Sequence, residues 1–165
     1  MKVRVRKTCL LRDLPFYLRV LRNKETQALM FDRASLIWSY MFSPKYECRY
    51  VCQQFINGRW KSVSIAQFSK SKDNIFWMSG AVPRELYNSG IGIYTAVAYL
   101  EKFFKTHPDA VVKSGAFLNN TRSFRMTQSI GFKLERQDDN HFESYITKEQ
   151  FNNDFANRIK KRINL

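Results

Sequence analysis

The sequence predicts a mixed α/β (α+β) fold, a sheet flanked by helices, and three observations predict it. Strand-like runs follow one another between residues 48 and 82, which makes a meander. A long helical segment then separates the last of these runs from the next strand, as a crossover requires. Finally, 165 residues with 44% hydrophobic side chains, including 14 Phe, suffice for one core but are too few for two domains of ordinary size. The whole chain, 1–165, reads as a single domain, with residues 148–165 a C-terminal helical extension. No repeat, low-complexity tract or Pro/Gly/Ser-rich linker divides it.

Each element has its own signal. Residues 2–8 alternate apolar and basic side chains as a first strand. Leu14, Leu18 and Leu21 share one face of a helix expected over 12–23, and Ser35 would cap a second helix over 35–42. Strands follow over 48–55, 60–68 and 74–82. The first two are joined by the hairpin pair Asn57-Gly58, the second two by the polar Ser69-Lys70-Ser71-Lys72-Asp73. Ile93, Val97, Leu100 and Phe104 stand at helical spacing over 90–104, and His107-Pro108 ends that helix. A strand over 110–117, a short helix over 121–130, strands over 132–136 and 142–147 and a last helix over 148–162 complete the chain.

Composition narrows the function classes. Lys and Arg outnumber Asp and Glu by 28 to 14, a formal charge of +14 that attracts polyanions without choosing among nucleic acid, acidic lipid, nucleotide cofactors and sugar nucleotides. Much of it is solvated surface, as in Arg158-Ile159-Lys160-Lys161-Arg162. No stretch approaches the roughly 20 apolar residues of a membrane span, and the basic N-terminus is followed by no signal-peptide core, so no membrane partner is expected. Cys9, Cys48 and Cys52 cannot all pair within one chain and match no zinc spacing. Free thiols in a reducing cytoplasm, and no metal, are the expectation.

Two segments carry chemistry. In the first, the strand ending at Val82-Pro83 leads into Tyr87-Asn88-Ser89-Gly90-Ile91-Gly92-Ile93 at the start of the long helix. The first turn of a helix has unpaired N–H groups and the positive end of its dipole, and glycines there let a phosphate approach. A Gly-x-Gly at a helix start is also a common packing feature. A dinucleotide fold is disfavoured, because position 95 is Thr and the preceding strands are not interleaved with helices; the Walker Lys-Ser/Thr is missing too. In the second segment, residues 119–132, Asn120 opens a short helix that ends on Gly131-Phe132. Taken alone, Asn120 reads as a helix cap before it reads as a ligand contact.

Together the two segments resemble the hallmark motifs of the GNAT superfamily of N-acetyltransferases. The first is similar to the family's strand, then Arg/Gln-x-x-Gly-x-Gly/Ala, then helix. The second is similar to its Asn-x-x-Ser/Ala-x-x-x-Tyr-x-x-x-Gly-Phe, and their separation and element order also agree. The resemblance implies a mostly antiparallel sheet splayed between its fourth and fifth strands, with acetyl-coenzyme A (acetyl-CoA) held in the splay. Backbone groups of Gly80, Ala81 and Val82 would pair with the pantetheine arm as an added pseudo-strand. Backbone N–H groups of Asn88, Ser89, Gly90, Ile91, Gly92 and Ile93 would hold the pyrophosphate. Asn120 would hydrogen-bond the pantetheine, with Ser123 close to the coenzyme, and nearby Lys and Arg would favour the nucleotide end.

The departures bear on catalysis. Tyr87 stands at the Arg/Gln position, so backbone contacts survive but a side-chain phosphate contact does not. Thr127 stands where many members carry a Tyr that protonates the departing thiolate, and a Thr hydroxyl is a poor acid. The fourth strand has Phe76, Trp77 and Met78 where some members keep a carboxylate base. The expected reaction is direct attack of a neutral amine on the thioester, driven by proximity, with an N–H near Ala81 or Val82 polarising the carbonyl. Thr127 is the candidate for orienting a water or donating a hydrogen bond. Glu85, His141 and Glu143 are candidate bases, each also readable as surface or core, and His107 is a helix-end residue.

For the acceptor, residues 20–31 are similar to the Arg-Asn…Met segment of two subgroups. One acetylates amino groups of nucleotide-linked sugars, and the other acetylates protein N-termini. The positive charge favours a small-molecule amine on a sugar nucleotide; protein N-terminal or small-amine acetylation, a degenerate CoA-binding domain and a homodimer stay open. The competing class is a basic nucleic-acid-binding module, suggested by Arg59-Trp60-Lys61 and Arg49-Tyr50. It is disfavoured because no helix-turn-helix, zinc-finger or RNP-type motif is present.

Overall fold

A computed structural model describes residues 1–28 and 46–163 of the chain. The helix expected over 35–42, and Leu29 to Phe31 of the acceptor segment, lie outside the described residues. The first strand, β1 (Val3–Lys7), leads into α1 (Leu10–Leu21) and the short α2 (Lys24–Ala28). The meander is β2 (Tyr46–Ile56), β3 (Arg59–Lys72) and β4 (Ile75–Ala81). A 3-10 turn at Arg84–Leu86 precedes α3 (Ile91–Thr106), then β5 (Val111–Phe117), α4 (Thr121–Ile130), β6 (Lys133–Gln137) and β7 (His141–Thr147). Two helices close the described chain, α5 (Lys148–Phe151) and α6 (Asp154–Arg162).

These strands form a seven-stranded sheet in the order β1-β2-β3-β4-β5-β7-β6. Every pairing is antiparallel except β4 with β5, which is parallel. A parallel pair needs a crossover, and α3 supplies it. Successive side chains on a strand point to opposite faces, so β2 and β3 feed two separate cores. Tyr50, Cys52, Ala66 and Phe68 join the large cluster built on α3, whereas Val51 and Ile65 join Tyr17, Val20 and Leu21 of α1. On the α3 side, Phe68 stacks on Phe103 with centroids 4.0 Å apart and planes 3° from parallel, and Phe103 stacks on His107 at 4.4 Å. Each such ring withdrawn from water contributes about 1.5–3 kcal/mol.

The α1 side is held by directed bonds. Asp13 is buried and receives both terminal nitrogens of Arg6 (2.6 and 2.5 Å) and the Cys9 N–H (2.7 Å). Burial pushes its carboxyl up, but the Arg6 and Cys9 bonds outweigh that, leaving it below its ordinary value. Because Asp13 reaches back to the Cys9 N–H, α1 starts at Leu10, two residues before the predicted start.

Three further boundaries differ from expectation for local reasons. The polar tract expected between the third and fourth strands is the end of β3, which runs through a bulge to Lys72 and turns at Asn74 with φ +57°. Helix α2 was not expected; Asn23 Oδ1 accepts from the N–H groups of Glu25 and Thr26 and starts it. The single last helix divides at Asn152-Asn153. Thr147 and Gln150 form a capping box for α5, and Asn153 accepts from the Ala156 N–H to begin α6. Phe151, Ala156, Ile159 and Ile163 bury in the α3 cluster. Among the described residues no helix is long and apolar enough to cross a membrane.

Candidate active site

The parallel pairing of β4 and β5 covers only Ile75–Val111, Phe76–Val112 and Trp77–Lys113. Beyond it β4 stays with β3 as far as Ala81, and β5 stays with β7 as far as Phe117. The sheet therefore splays between its fourth and fifth strands. A cavity of about 670 Å³ occupies the splay, with Met78 to Val82 on one side and Ser114 to Ala116 on the other.

The sequence-predicted coenzyme residues largely converge here. Gly80, Ala81 and Val82 line the cavity from β4 and its end, Asn88, Gly90, Gly92 and Ile93 from the start of α3, and Asn120 and Ser123 from the start of α4. Ser89 and Ile91 do not line it. The Ser89 hydroxyl donates to the Leu86 carbonyl and accepts from the Ile91 N–H, while the Ile91 side chain lies in the core. The α3 N-cap, Gly90, has φ +79° and no side-chain cap. A Cβ on Gly92 would meet nothing nearer than Met126 Sδ at 3.9 Å, so protein packing does not require glycine there. The Ile91 and Ile93 N–H groups are taken by Ser89 Oγ and the Gly90 carbonyl, and an open approach to the remaining N–H groups of this turn suits an anion. Asn120 caps α4, its Oδ1 accepting from the Ser123 N–H at 3.2 Å. That leaves its amide N–H groups as what it can offer a ligand.

The catalytic candidates do not gather. Thr127 lines the cavity, but its hydroxyl donates to the Phe124 carbonyl at 2.9 Å, so its proton is committed within the helix. Glu85 is exposed outside the cavity and pairs with Arg19. His141 sits on β7 against the Phe117 ring and 3.5 Å from Asp138, also outside. Glu143 stands opposite Gly115 in the β5–β7 register without reaching the lining. Among the described lining residues there is no carboxylate and no histidine.

Several lining residues were not legible beforehand. Arg122 and Arg125 are the cationic members of the described wall. The Arg122 guanidinium lies 4.4 Å over the Tyr87 ring and pairs with Glu25, which also holds Arg84. The Tyr87 hydroxyl shares a 2.8 Å hydrogen bond with Thr26, tying α2 to the loop before α3. Deeper in, the Tyr99 hydroxyl accepts from the Cys52 N–H and bonds Ser64. Burial holds its phenol well above the usual range and pushes the Cys52 thiol up to about 12, so neither ionises near neutrality. Gln67, 1% exposed, lines the cavity from β3. The proximity of Arg122 to Asn120 was the available signal for the first of these; the others had none.

No protein-family model matches the chain, and no curated protein matches it in sequence. Solved structures do match. A GNAT-family acetyltransferase from Bacillus anthracis superposes with a TM-score of 0.72 at 16% identity, over 90% of this chain and 96% of that one. Aminoglycoside acetyltransferase AAC(6')-Ib, in complex with coenzyme A and kanamycin, gives 0.68 at 14% identity over 90% and 96%. A domain from Methanocaldococcus jannaschii gives 0.67 at 15% over 87% and 97%. The splayed sheet, the single parallel pair and the glycine-led crossover helix thus belong to a known architecture: the chain has the GNAT acetyltransferase fold.

Proposed function

We propose that this chain is an acetyl-CoA-dependent N-acetyltransferase acting on a primary amine, with the amino group of a nucleotide-linked sugar as the preferred acceptor class. The observation that carries the reading is the splay between β4 and β5 opening onto the glycine-bearing start of α3. The free edge of β4 offers backbone partners to a pantetheine arm from Gly80 to Val82. Within Asn88 to Ile93 the N–H groups of Ser89, Ile91 and Ile93 are bonded to Leu86 O, Ser89 Oγ and Gly90 O, which leaves those of Asn88, Gly90 and Gly92 for a pyrophosphate. Arg122 and Arg125 are the wall cations suited to the remaining phosphate charge.

Bound acetyl-CoA would supply an already activated acyl group, so the chain's own residues need mainly to position and polarise. A backbone N–H near Ala81 or Val82 fits the oxyanion role. With the Thr127 proton bound to the Phe124 carbonyl, release of the thiolate relies on solvent. That observation also favours one second reading, a domain that binds coenzyme without transferring.

Calorimetry with acetyl-CoA tests the first half, and absence of binding would remove the reading at its root. A thiol-release assay over a uridine diphosphate-linked amino sugar, kanamycin and a peptide with a free N-terminus tests the second. Binding without transfer to any of them selects the second reading.

A further inference from the structure

On β3, Ile65 and Gln67 point to the α1 side of the sheet, opposite Ala66 and Phe68. In the β3–β4 register Gln67 faces Ser79, and Ile65 faces Ala81. The Gln67 side chain is fixed by its own amide, since Nε2 donates to Ser79 Oγ at 3.2 Å. Its Oε1 is buried and has no hydrogen-bond partner among the described residues, although Gln67 lines the cavity. A buried amide oxygen without a partner is costly, and such atoms in folded proteins call for an explanation in strain, a catalytic role or a partner from outside the chain such as water or an ion.

The position favours a ligand. Gln67 lies one pleat repeat, about 6.6 Å, along the sheet from the Ile65–Ala81 pair, next to which the acyl carbonyl is to be polarised. It lies on the α1 side of the splay, whereas α3, whose first turn would take the pyrophosphate, packs on the other. The group that meets Oε1 must therefore be an N–H or O–H donor arriving from the side away from the coenzyme.

Resting on the acetyltransferase reading, we infer that Gln67 is the acceptor-binding residue, its Oε1 receiving one N–H of the incoming primary amine. An amide oxygen accepts a hydrogen bond but takes no proton near neutrality. It holds a neutral amine by one hydrogen and leaves the nitrogen lone pair directed at the acyl carbon. The C–N bond then forms, the C–S bond breaks with its electron pair on sulfur, and the proton lost by nitrogen is balanced through water by the one gained by the thiolate. The substrate class that fits is a primary amine that retains one N–H after attack.

Gln67→Leu tests this, because it removes the oxygen at nearly constant volume. The apo protein is expected to melt at a higher temperature, since an unpaired buried oxygen has gone. Calorimetric affinity for acetyl-CoA stays within twofold, and KM for the fastest amine of the panel rises about 10- to 100-fold. Gln67→Glu keeps an oxygen acceptor at the same reach and returns KM to within a few-fold of wild type. An unchanged KM in Gln67→Leu, or a protein less stable than wild type, overturns the inference and makes the amide a structural link to Ser79. Wild-type protein that fails to bind acetyl-CoA, or binds it without acetylating any amine, instead brings down the parent reading and this inference with it.

Discussion

The two faces of the sheet are held by different physics. The α3 face is an aromatic and aliphatic mass in which Phe68, Phe76, Phe103 and Phe104 touch one another or α3, and its stabilisation scales with buried area. The α1 face has a smaller apolar cluster, pinned by Arg6–Asp13, Thr8–Tyr17 and buried glutamines at 53 and 67. Area is forgiving of direction, while hydrogen bonds are not. The face that carries the fold can thus be dense and featureless, and the face that would meet an acceptor can hold polar groups at defined positions. The cavity lies where the sheet splays between them.

Substitutions can break or sharpen this contrast. Phe103→Ala should be the most damaging, costing about 3–5 kcal/mol because it opens a cavity in the stacked core; a denaturant melt measures it, and a loss below about 1 kcal/mol would show that the α3 face does not dominate stability. Asp13→Ala should cost about 3 kcal/mol, since it strands the Arg6 charge and frees the Cys9 N–H. The same pair has a pH signature. A carboxyl depressed in the folded state stabilises fully above its unfolded value and loses that contribution as pH falls through the lower folded one. Melting temperature should therefore drop on acidification below about pH 4, and the drop should be shallower in Asp13→Asn.

Gly92→Val separates stability from the site. It should weaken acetyl-CoA binding about 100-fold, equivalent to roughly 2.7 kcal/mol, by placing branched carbons where the phosphate would approach. A Cβ there meets only Met126 Sδ, at 3.9 Å, so melting should shift by less than about 1 kcal/mol of stability. Glu25→Ala should have the smallest effect. Its pairs with Arg84 and Arg122 are partly exposed and contribute less than about 1 kcal/mol. Releasing Arg122 should nonetheless tighten coenzyme binding by a few-fold at low salt, an effect that disappears on adding salt.

The proposed coenzyme half of the site has a signal in the sequence because its motifs are local. A strand, two spaced glycines and a helix announce themselves over one continuous stretch from Ile75 to Thr106, and the Asn120 and Gly131-Phe132 pattern does so again. The helix over 121–130 matches its prediction because both ends carry caps: Asn120 at the start and Gly131, with φ +108°, at the finish. Gln67 was invisible for the opposite reason. Residues 63–68 are all buried, so no apolar–polar alternation marks which face each side chain takes. The pairing of Asp13 with Arg6 likewise has no local signal, since only tertiary packing closes them onto each other. Glu85 and His141 were reasonable bases by residue type, but the topology places both outside the cavity.

The stack of Phe68, Phe103 and His107 has one more consequence. The imidazole lies nearly parallel to the Phe103 ring, 8° away, at the C-terminal end of the helix whose first turn faces the cavity. Protons held over an aromatic face are magnetically shielded, and the shielding falls steeply with displacement. The His107 ring protons should therefore resonate well upfield of a free histidine. Any sliding or tilting of α3 when a ligand seats at its far end would move those lines, giving the protein an intrinsic spectroscopic gauge of coenzyme occupancy that needs neither label nor assay.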